Sequence, residues 1–251
     1  MARLRLMTYN VRSCSAGGGE GGCERVAEVV AALAPDVVAL QELEAGQPGS
    51  GYHEQAQTIA DLLGMGVHYQ PAMRARHGGT FGNALLSRAP LRLVASGLLP
   101  HLQVGFVREP RGISWLAVAV DGREVQVLVT HLGLTRRERR AQVEALLGPA
   151  WLGAPRCRPP RLLCGDLNTR PGSYSHRRLA EVLVDAVLVA PPEGGRAATF
   201  PATRPLVRLD HVMVSPDLRV CRTDIPRGRE VRRASDHLPV VVDLELPSAA
   251  A

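Results

Sequence analysis

Leu163-Cys164-Gly165-Asp166-Leu167-Asn168 is an apolar run that reaches a glycine and then delivers an aspartate and an asparagine two residues apart. Side chains at i and i+2 of an extended chain point the same way, so Asp166 and Asn168 are expected to face one site just beyond a strand end. A carboxylate acceptor beside an amide donor suits a phosphate attacked by a metal-activated water. Gly-Asp followed by Asn is also ordinary turn chemistry, so the weight falls on what surrounds it.

With 251 residues, 45% of them hydrophobic, the chain is long enough for one large α/β or two-sheet domain, and no internal boundary breaks residues 1–251 before a frayed tail at 247–251. Met1 to Val11 alternates like a strand and lacks the apolar run of a signal peptide, and no stretch is long enough to span a bilayer. These features predict a cytoplasmic protein with no stable membrane insertion. Nothing indicates a protein partner, and a monomer is expected. The net charge of +6 would favour an anionic partner, but all 30 basic residues are arginine, which points to compositional bias. Against that bias, asparagine occurs only at 10, 83 and 168, each beside a strand-like apolar segment. Five cysteines without a Cys-x-x-Cys pair indicate neither a zinc knuckle nor a disulfide framework. Cys164 reads as a small core residue, and Cys14 and Cys23 as thiols flanking a glycine-rich loop, able to pair under oxidation.

In chain order, Leu4 to Asn10 reads as a strand, Glu24 to Leu33 as a helix stopped by Pro35, and Asp36 to Glu42 as a buried strand ending in a carboxylate. This β-α-β unit sets Asn10 and Glu42 at corresponding strand ends. Gly17 to Gly22 has no nucleotide-cradle frame and is expected to be a surface loop. A second helix over Glu54 to Leu63 precedes two consecutive strands, Gly82 to Arg88 and Leu91 to Gly97, joined at Arg88-Ala89-Pro90. Asp121-Gly122 predicts a hairpin between Ile113–Val120 and Glu124–Thr130, with His131 at its end. Thr135 and Glu138 form a capping box for a helix through Leu147. Its arginines at 136, 137, 139 and 140 wrap round the helix, as on a solvated face. Helix is predicted for Arg177 to Val184, strand for Leu209 to Val214, and a closing strand for Val240 to Leu246.

Thr8-Tyr9-Asn10, Gln41-Glu42, Gly82-Asn83 with Leu86-Ser87-Arg88, Thr130-His131-Leu132, Gly165-Asp166-Leu167-Asn168, Arg208-Leu209-Asp210-His211 and Ser235-Asp236-His237-Leu238-Pro239 resemble, in order, the motifs of the endonuclease/exonuclease/phosphatase superfamily. The resemblance covers nearly the whole chain. It implies a four-layer α/β sandwich, two packed mixed sheets with helices on both outer faces and the active site where strand ends meet.

The resemblance implies Glu42 as the principal Mg²⁺ ligand, with Mn²⁺ as the alternative ion, and Asn10 and Asp236 close to the metal. Asp166 and Asn168 would position water and phosphate, His237 would contact the phosphate, and Asp210 would orient His237. His131 matches the second histidine of the pancreatic deoxyribonuclease and sphingomyelinase branches, where abasic-site endonucleases carry tyrosine; Asn83 would support it. The chemistry asks for the same types: a phosphodiester needs a hard cation, a positioned water and relief of charge on the leaving oxygen. Arg111 has two readings, a phosphate contact or a solvent-exposed loop residue. His53, His68, His77, His101, His176 and His211 are expected to be surface or satisfied structural residues. The expected function is a Mg²⁺-dependent phosphodiesterase or nuclease without sequence specificity, acting on a phosphoester such as nucleic acid. The alternatives are a lipid head-group phosphodiesterase or phosphatase, a catalytically silent scaffold, and a basic binding module.

Overall fold

The computed structural model describes residues 2–16, 21–46, 54–74, 78–102 and 109–247. The expectations for loop residues 17–20, for His53 and His77 and for the tail beyond Pro247 lie outside the described residues.

In chain order, one sheet takes β1 (Arg3–Asn10), β2 (Val37–Ala45), β3 (Gly66–Arg74) and β4 (Thr80–Ser87). The second takes β5 (Leu91–Leu98), β6 (Gly112–Val120), β7 (Arg123–Thr130), β8 (Arg161–Asp166), β9 (Val184–Asp185) and β10 (Asp210–Val214). The chain then returns to the first sheet for β11 (Arg219–Asp224) and β12 (Val240–Glu245). Both six-stranded sheets are mixed, with parallel pairs β1/β2 and β7/β8 among antiparallel neighbours.

Period-two alternation in the second sheet decides which side chains reach the site. Leu162 and Cys164 of β8, and Val212 and Val214 of β10, join the core shared with the first sheet. Leu163 and Met213 between them face the opposite way, into a second cluster with Trp115, Val143 and Leu146. That outer cluster packs α3 (Arg136–Leu147) and α4 (Tyr174–Leu179) on the second sheet, while α1 (Gly22–Leu33), α2 (Gln55–Leu63) and α6 (Arg229–Ala234) bury their apolar faces against the first. The short α5 (Ala186–Val189) lies against β10 and β11.

Local chemistry accounts for most boundaries. Asp121 and Gly122 both have positive φ, 46° and 77°, the geometry of the tight hairpin that joins β6 to β7. Thr135 Oγ1 accepts from Glu138 N at 3.2 Å to start α3. α1 ends at Ala34 in the left-handed region, just before Pro35. Thiol Sγ of buried Cys164 lies 3.7 Å from Leu128 O, and Cys14 and Cys23 are free.

Two expectations are corrected. Glu42 does not end its strand: it sits inside β2 at a bulge between Leu40 and Leu43, with φ of 59°. Two consecutive strands, β4 and β5, do flank Arg88-Ala89-Pro90, and that turn carries the chain from the first sheet to the second. β3, for which no strand is predicted, is an edge strand, half-buried along its length and interrupted by Pro71. The helix expected from Arg177 to Val184 starts earlier, capped by Ser173, and stops at Leu179; Val184 belongs to β9.

Candidate active site

The ends of the inner strands bring the predicted residues to one pocket of about 390 Å³, lined by Glu42, Arg111, His131, Asp166, Asn168, Asp236 and His237 among others. Asp166 closes β8 and stands directly across the ladder from Asp210, the first residue of β10. Alternation turns both carboxylates inward. The strand can reach this point only with glycine at 165: its φ is 144°, and a Cβ there would lie 1.8 Å from the Thr130 carbonyl oxygen. Asn168 is brought in by a turn and not by strand alternation. Its φ is 47°, and its N–H donates to Asp166 Oδ1 at 2.9 Å. The turn reading and the site reading of this stretch therefore both hold.

Asn10, at the end of β1, donates its amide to Glu42 Oε1 at 2.7 Å and to Asp166 Oδ2 at 3.0 Å, joining the two sheets across the site. Asn10 Oδ1 accepts from Arg12 N at 3.1 Å, which fixes the orientation of the amide. Ser235 contributes a link that composition and spacing did not single out. Its hydroxyl donates to Asn10 O at 2.6 Å and accepts from His237 N at 3.2 Å, tying the two motifs together. Asp236 beside it is partly open to solvent, with Arg12 Nη1 3.5 Å from its carboxylate.

His237 Nδ1 lies 2.9 Å from Asp210 Oδ2, and its Nε2 lies 3.7 Å from Asp166 Oδ2. Burial alone would lower the His237 pKa, but the Asp210 carboxylate, with Asp166 and Asp236, outweighs it and pushes it to about 10. His237 is therefore an imidazolium at neutral pH. Burial and the facing Asp210 push Asp166 up to about 7, opposed by His237 and by the hydrogen bonds from Asn168 and Asn10. Burial also raises Glu42, against the hydrogen bond from Asn10. Phe200 packs its ring 4.8 Å from that of His237.

His131 follows β7 and is buried. Arg111 Nη1 lies 3.1 Å from its Nδ1, and Nε2 lies 3.0 Å from the Asn168 amide nitrogen and 3.5 Å from Asp166 Oδ2. Burial, then Arg111 and His237, hold its pKa well below the usual histidine value, so the ring is neutral. Both close neighbours of the ring, Arg111 Nη1 and the Asn168 NH2 that donates to Leu132 O, are donors, and a neutral ring accepts at one nitrogen only; the guanidinium cannot give up its proton, so Nδ1 accepts, and the hydrogen on Nε2 has Asp166 Oδ2 and not the Asn168 amide as its acceptor.

Two expectations about supporting residues change. Arg111 is neither solvent-exposed nor aimed at the pocket alone: it is 4% exposed, held between His131 and Glu109, whose carboxylate is 2.8 Å from Nη2. Among the described residues Asn83 makes no hydrogen bond to His131. It donates to Gly112 O at 3.3 Å, the same carbonyl that Thr130 Oγ1 reaches at 2.9 Å, and so braces the start of β6. Glu109 lines the pocket without any motif to announce it. Arg108 lies outside the described residues.

The donor set fits a hard divalent cation. Ligand atoms of Glu42, His131 and Asp166, and of Asp166, Asp210 and His237, lie within 4.8 Å of one another, and buried Asp210 Oδ1 has no hydrogen-bond partner. Carboxylates crowded together and raised by burial are what a bound cation would relieve. A third group, His176, Asp185 and His211, lies on the outer face of the second sheet and is occupied by Arg208, which makes 2.7 and 2.8 Å bonds to Asp185.

Among the described residues no helix is long and apolar enough to cross a membrane. Uncharacterized protein YbhP of Escherichia coli K12 is 29% identical over 174 residues, 67% of this chain and 64% of its own length. The chain thus spans somewhat under two thirds of that relative. An endonuclease/exonuclease/phosphatase structure from Beutenbergia cavernae superposes with a TM-score of 0.78 at 25% identity, covering 100% of this chain and 74% of the other. The mannosyl-6-phosphatase Bt3783 of Bacteroides thetaiotaomicron gives 0.75 at 20% identity, covering 97% of this chain and 100% of the other. The model of the Endonuclease/Exonuclease/phosphatase family matches residues 7–237, from within β1 to His237, and the chain belongs to that family of phosphoester hydrolases.

Proposed function

We propose that the protein is a Mg²⁺-dependent hydrolase of phosphodiesters, with nucleic acid cut without sequence preference as its leading substrate. The observation that carries the reading is the meeting of Glu42, Asp166 and the Asp210–His237 pair at the ends of both sheets, in a pocket rich in hard oxygen donors. Glu42, with Asp236, would hold the ion, which when bound supplies a positive charge against a non-bridging phosphate oxygen, while Asn10 orients the Glu42 carboxylate through its amide N–H. Mn²⁺ satisfies the same donor chemistry.

The chain's own groups then divide the work. Asp210 fixes the His237 ring through Nδ1 and keeps it charged, leaving Nε2–H for a phosphate oxygen. Asp166, buried at the end of β8 with Oδ1 held by Asn168 N and Oδ2 by Asn10, is placed to take a proton from an attacking water. Arg111 sets the tautomer of His131 so that its Nε2–H also faces the site, and Asn168 holds the turn that keeps Asp166 in place.

A second reading, hydrolysis of a lipid head-group phosphoester, draws support from Leu134, which lines the pocket yet is 52% exposed. The two separate in one assay: plasmid DNA, single strands, sphingomyelin and phosphoinositide vesicles and bis(p-nitrophenyl) phosphate, each with Mg²⁺ and with EDTA. The expected result is EDTA-sensitive cleavage of nucleic acid and of the small diester, lost in Glu42→Gln. Cleavage confined to vesicles would favour the second reading, and turnover that survives EDTA or Glu42→Gln would overturn both.

A further inference from the structure

The arginines of α3 do not simply ring a solvated helix. Arg136, Arg137, Arg139 and Arg140 come together with Arg170 and Arg177 on one groove of about 800 Å³, roughly twice the volume of the reaction pocket. The groove adjoins that pocket, because Asn168 and Leu209 line both. No acidic side chain lines it, and among the described residues none of the six arginines makes an ion pair with a carboxylate. Their hydrogen bonds go elsewhere. Arg139 donates to the carbonyls of Gly133 and Leu134, Arg177 to that of Gly172, and Arg140 lies over the Tyr174 ring, 4.2 Å from its centroid.

The placement works against the helix itself. Arg136, Arg137, Arg139 and Arg140 fall in the first turns of α3, where the backbone N–H groups already present a positive end and where carboxylates, not guanidinium groups, are stabilising. Glu138 in the same turn is buried and turned to His101, and Glu144 is bonded to Arg178 and Tyr174, so four cations at this end are matched by no carboxylate on the groove wall, as on a surface made for an anion. A guanidinium fork matches phosphate oxygens in two-point geometry. The adjoining pocket holds the Glu42, Asp166 and His237 cluster, and a groove with six more cations beside it calls for a ligand carrying several phosphates in a row. Its concave shape suits a chain more than the flat face of a bilayer.

We infer that the groove is a track for the sugar–phosphate backbone of a nucleic-acid strand whose scissile phosphate occupies the adjoining pocket. The inference rests on the phosphodiesterase reading and adds the side from which the strand enters. Phosphates bound along the track act through charge, so binding weakens steeply with salt and carries no base preference.

The test uses the triple variants Arg136→Gln/Arg137→Gln/Arg170→Gln and Arg136→Lys/Arg137→Lys/Arg170→Lys, whose altered side chains are exposed and make no side-chain hydrogen bond within the described residues. Anisotropy of a fluorescent oligothymidylate is measured in EDTA across a salt series, and turnover of bis(p-nitrophenyl) phosphate is measured with Mg²⁺. The glutamine variant is expected to lower the slope of log K against log salt by roughly 2, about 0.7 for each lost phosphate contact. The lysine variant is expected to restore it, and turnover of the small diester is expected to stay at the wild-type rate in both. A glutamine variant with the wild-type slope would overturn the track, as would wild-type protein that binds phosphatidylserine vesicles but not the oligonucleotide. Wild-type protein that binds as expected yet turns over no diester would leave the track standing and remove the hydrolase reading.

Discussion

Asp210 and His211 are neighbours on β10, and the alternation of that strand sends them into two different histidine–carboxylate clusters. Inward, Asp210 meets His237 and faces Asp166; outward, His211 meets Asp185, His176 and Arg208. Both groups bring three ligand-type side chains within metal-binding reach. They differ in balance. In the outer cluster Asp185 is saturated, with Arg208 across both oxygens, Val187 N at 3.1 Å on Oδ1 and His176 Nε2 at 2.7 Å on Oδ2. His211 closes the set by donating from Nε2 to Thr169 O at 2.9 Å, which braces the residue next to Asn168. In the inner cluster Asp210 Oδ1 has no partner, two carboxylates face each other and Asp166 lines the pocket. Similar residues thus build a strut on one face of the strand and the proposed reaction site on the other. The sign of chemistry is the unmatched charge, not the presence of histidine beside aspartate.

The comparison breaks or sharpens under substitution. His237→Ala should lower kcat/KM by roughly 10²–10⁴-fold per folded molecule, about 3–5 kcal/mol at the transition state. Asp185→Ala should act on the fold instead. It strands the Arg208 cation in a buried site, a change that costs about 3–5 kcal/mol of folding stability by urea titration, while kcat per folded molecule holds. A stable Asp185→Ala protein with collapsed kcat would assign the outer cluster to the reaction.

The smallest expected effect is in acid. Burial opposes ionisation of Asp185, but the bonds from His176 and Arg208 prevail and hold its carboxyl well below the usual aspartate range. A depressed folded value means that the stabilisation is complete above the unfolded pKa of about 3.9 and drains away as pH falls below it, by at most about 1.4 kcal/mol per pH unit for one proton. Urea midpoints of the wild type should therefore drop more steeply below pH 4 than those of Asp185→Asn; parallel curves would show that Asp185 is not held ionised by the cluster.

Sequence patterns reveal the inner cluster better than the outer one, and the reason is physical. Residues that bind a reacting group are constrained in type and in their place relative to strand ends, so Asn10, Glu42, Asp166 and His237 stand out in a chain poor in asparagine. The outer cluster draws Asp185 from a two-residue strand and His176 from a short helix, and alternation alone does not announce which loops will meet it. The bulge at Glu42 was hidden because its cause is the register of β4 against β2, a pairing distant in sequence. Glu109 and Ser235 act through contacts across the fold, and the arginine groove needs α3, the 170 loop and α4 together. On a helical wheel the same arginines read as solvated.

The claim that the inner pair is the reaction centre is tested most directly by kcat/KM of four proteins: wild type, Asp210→Asn, His237→Ala and the double variant. Asp210 acts here through the ring it orients and keeps charged, so each single change should cost roughly 10²–10⁴-fold, and the double variant should be little worse than the worse single. Losses that multiply would contradict the account, because Asp210 would then act on the substrate independently of His237.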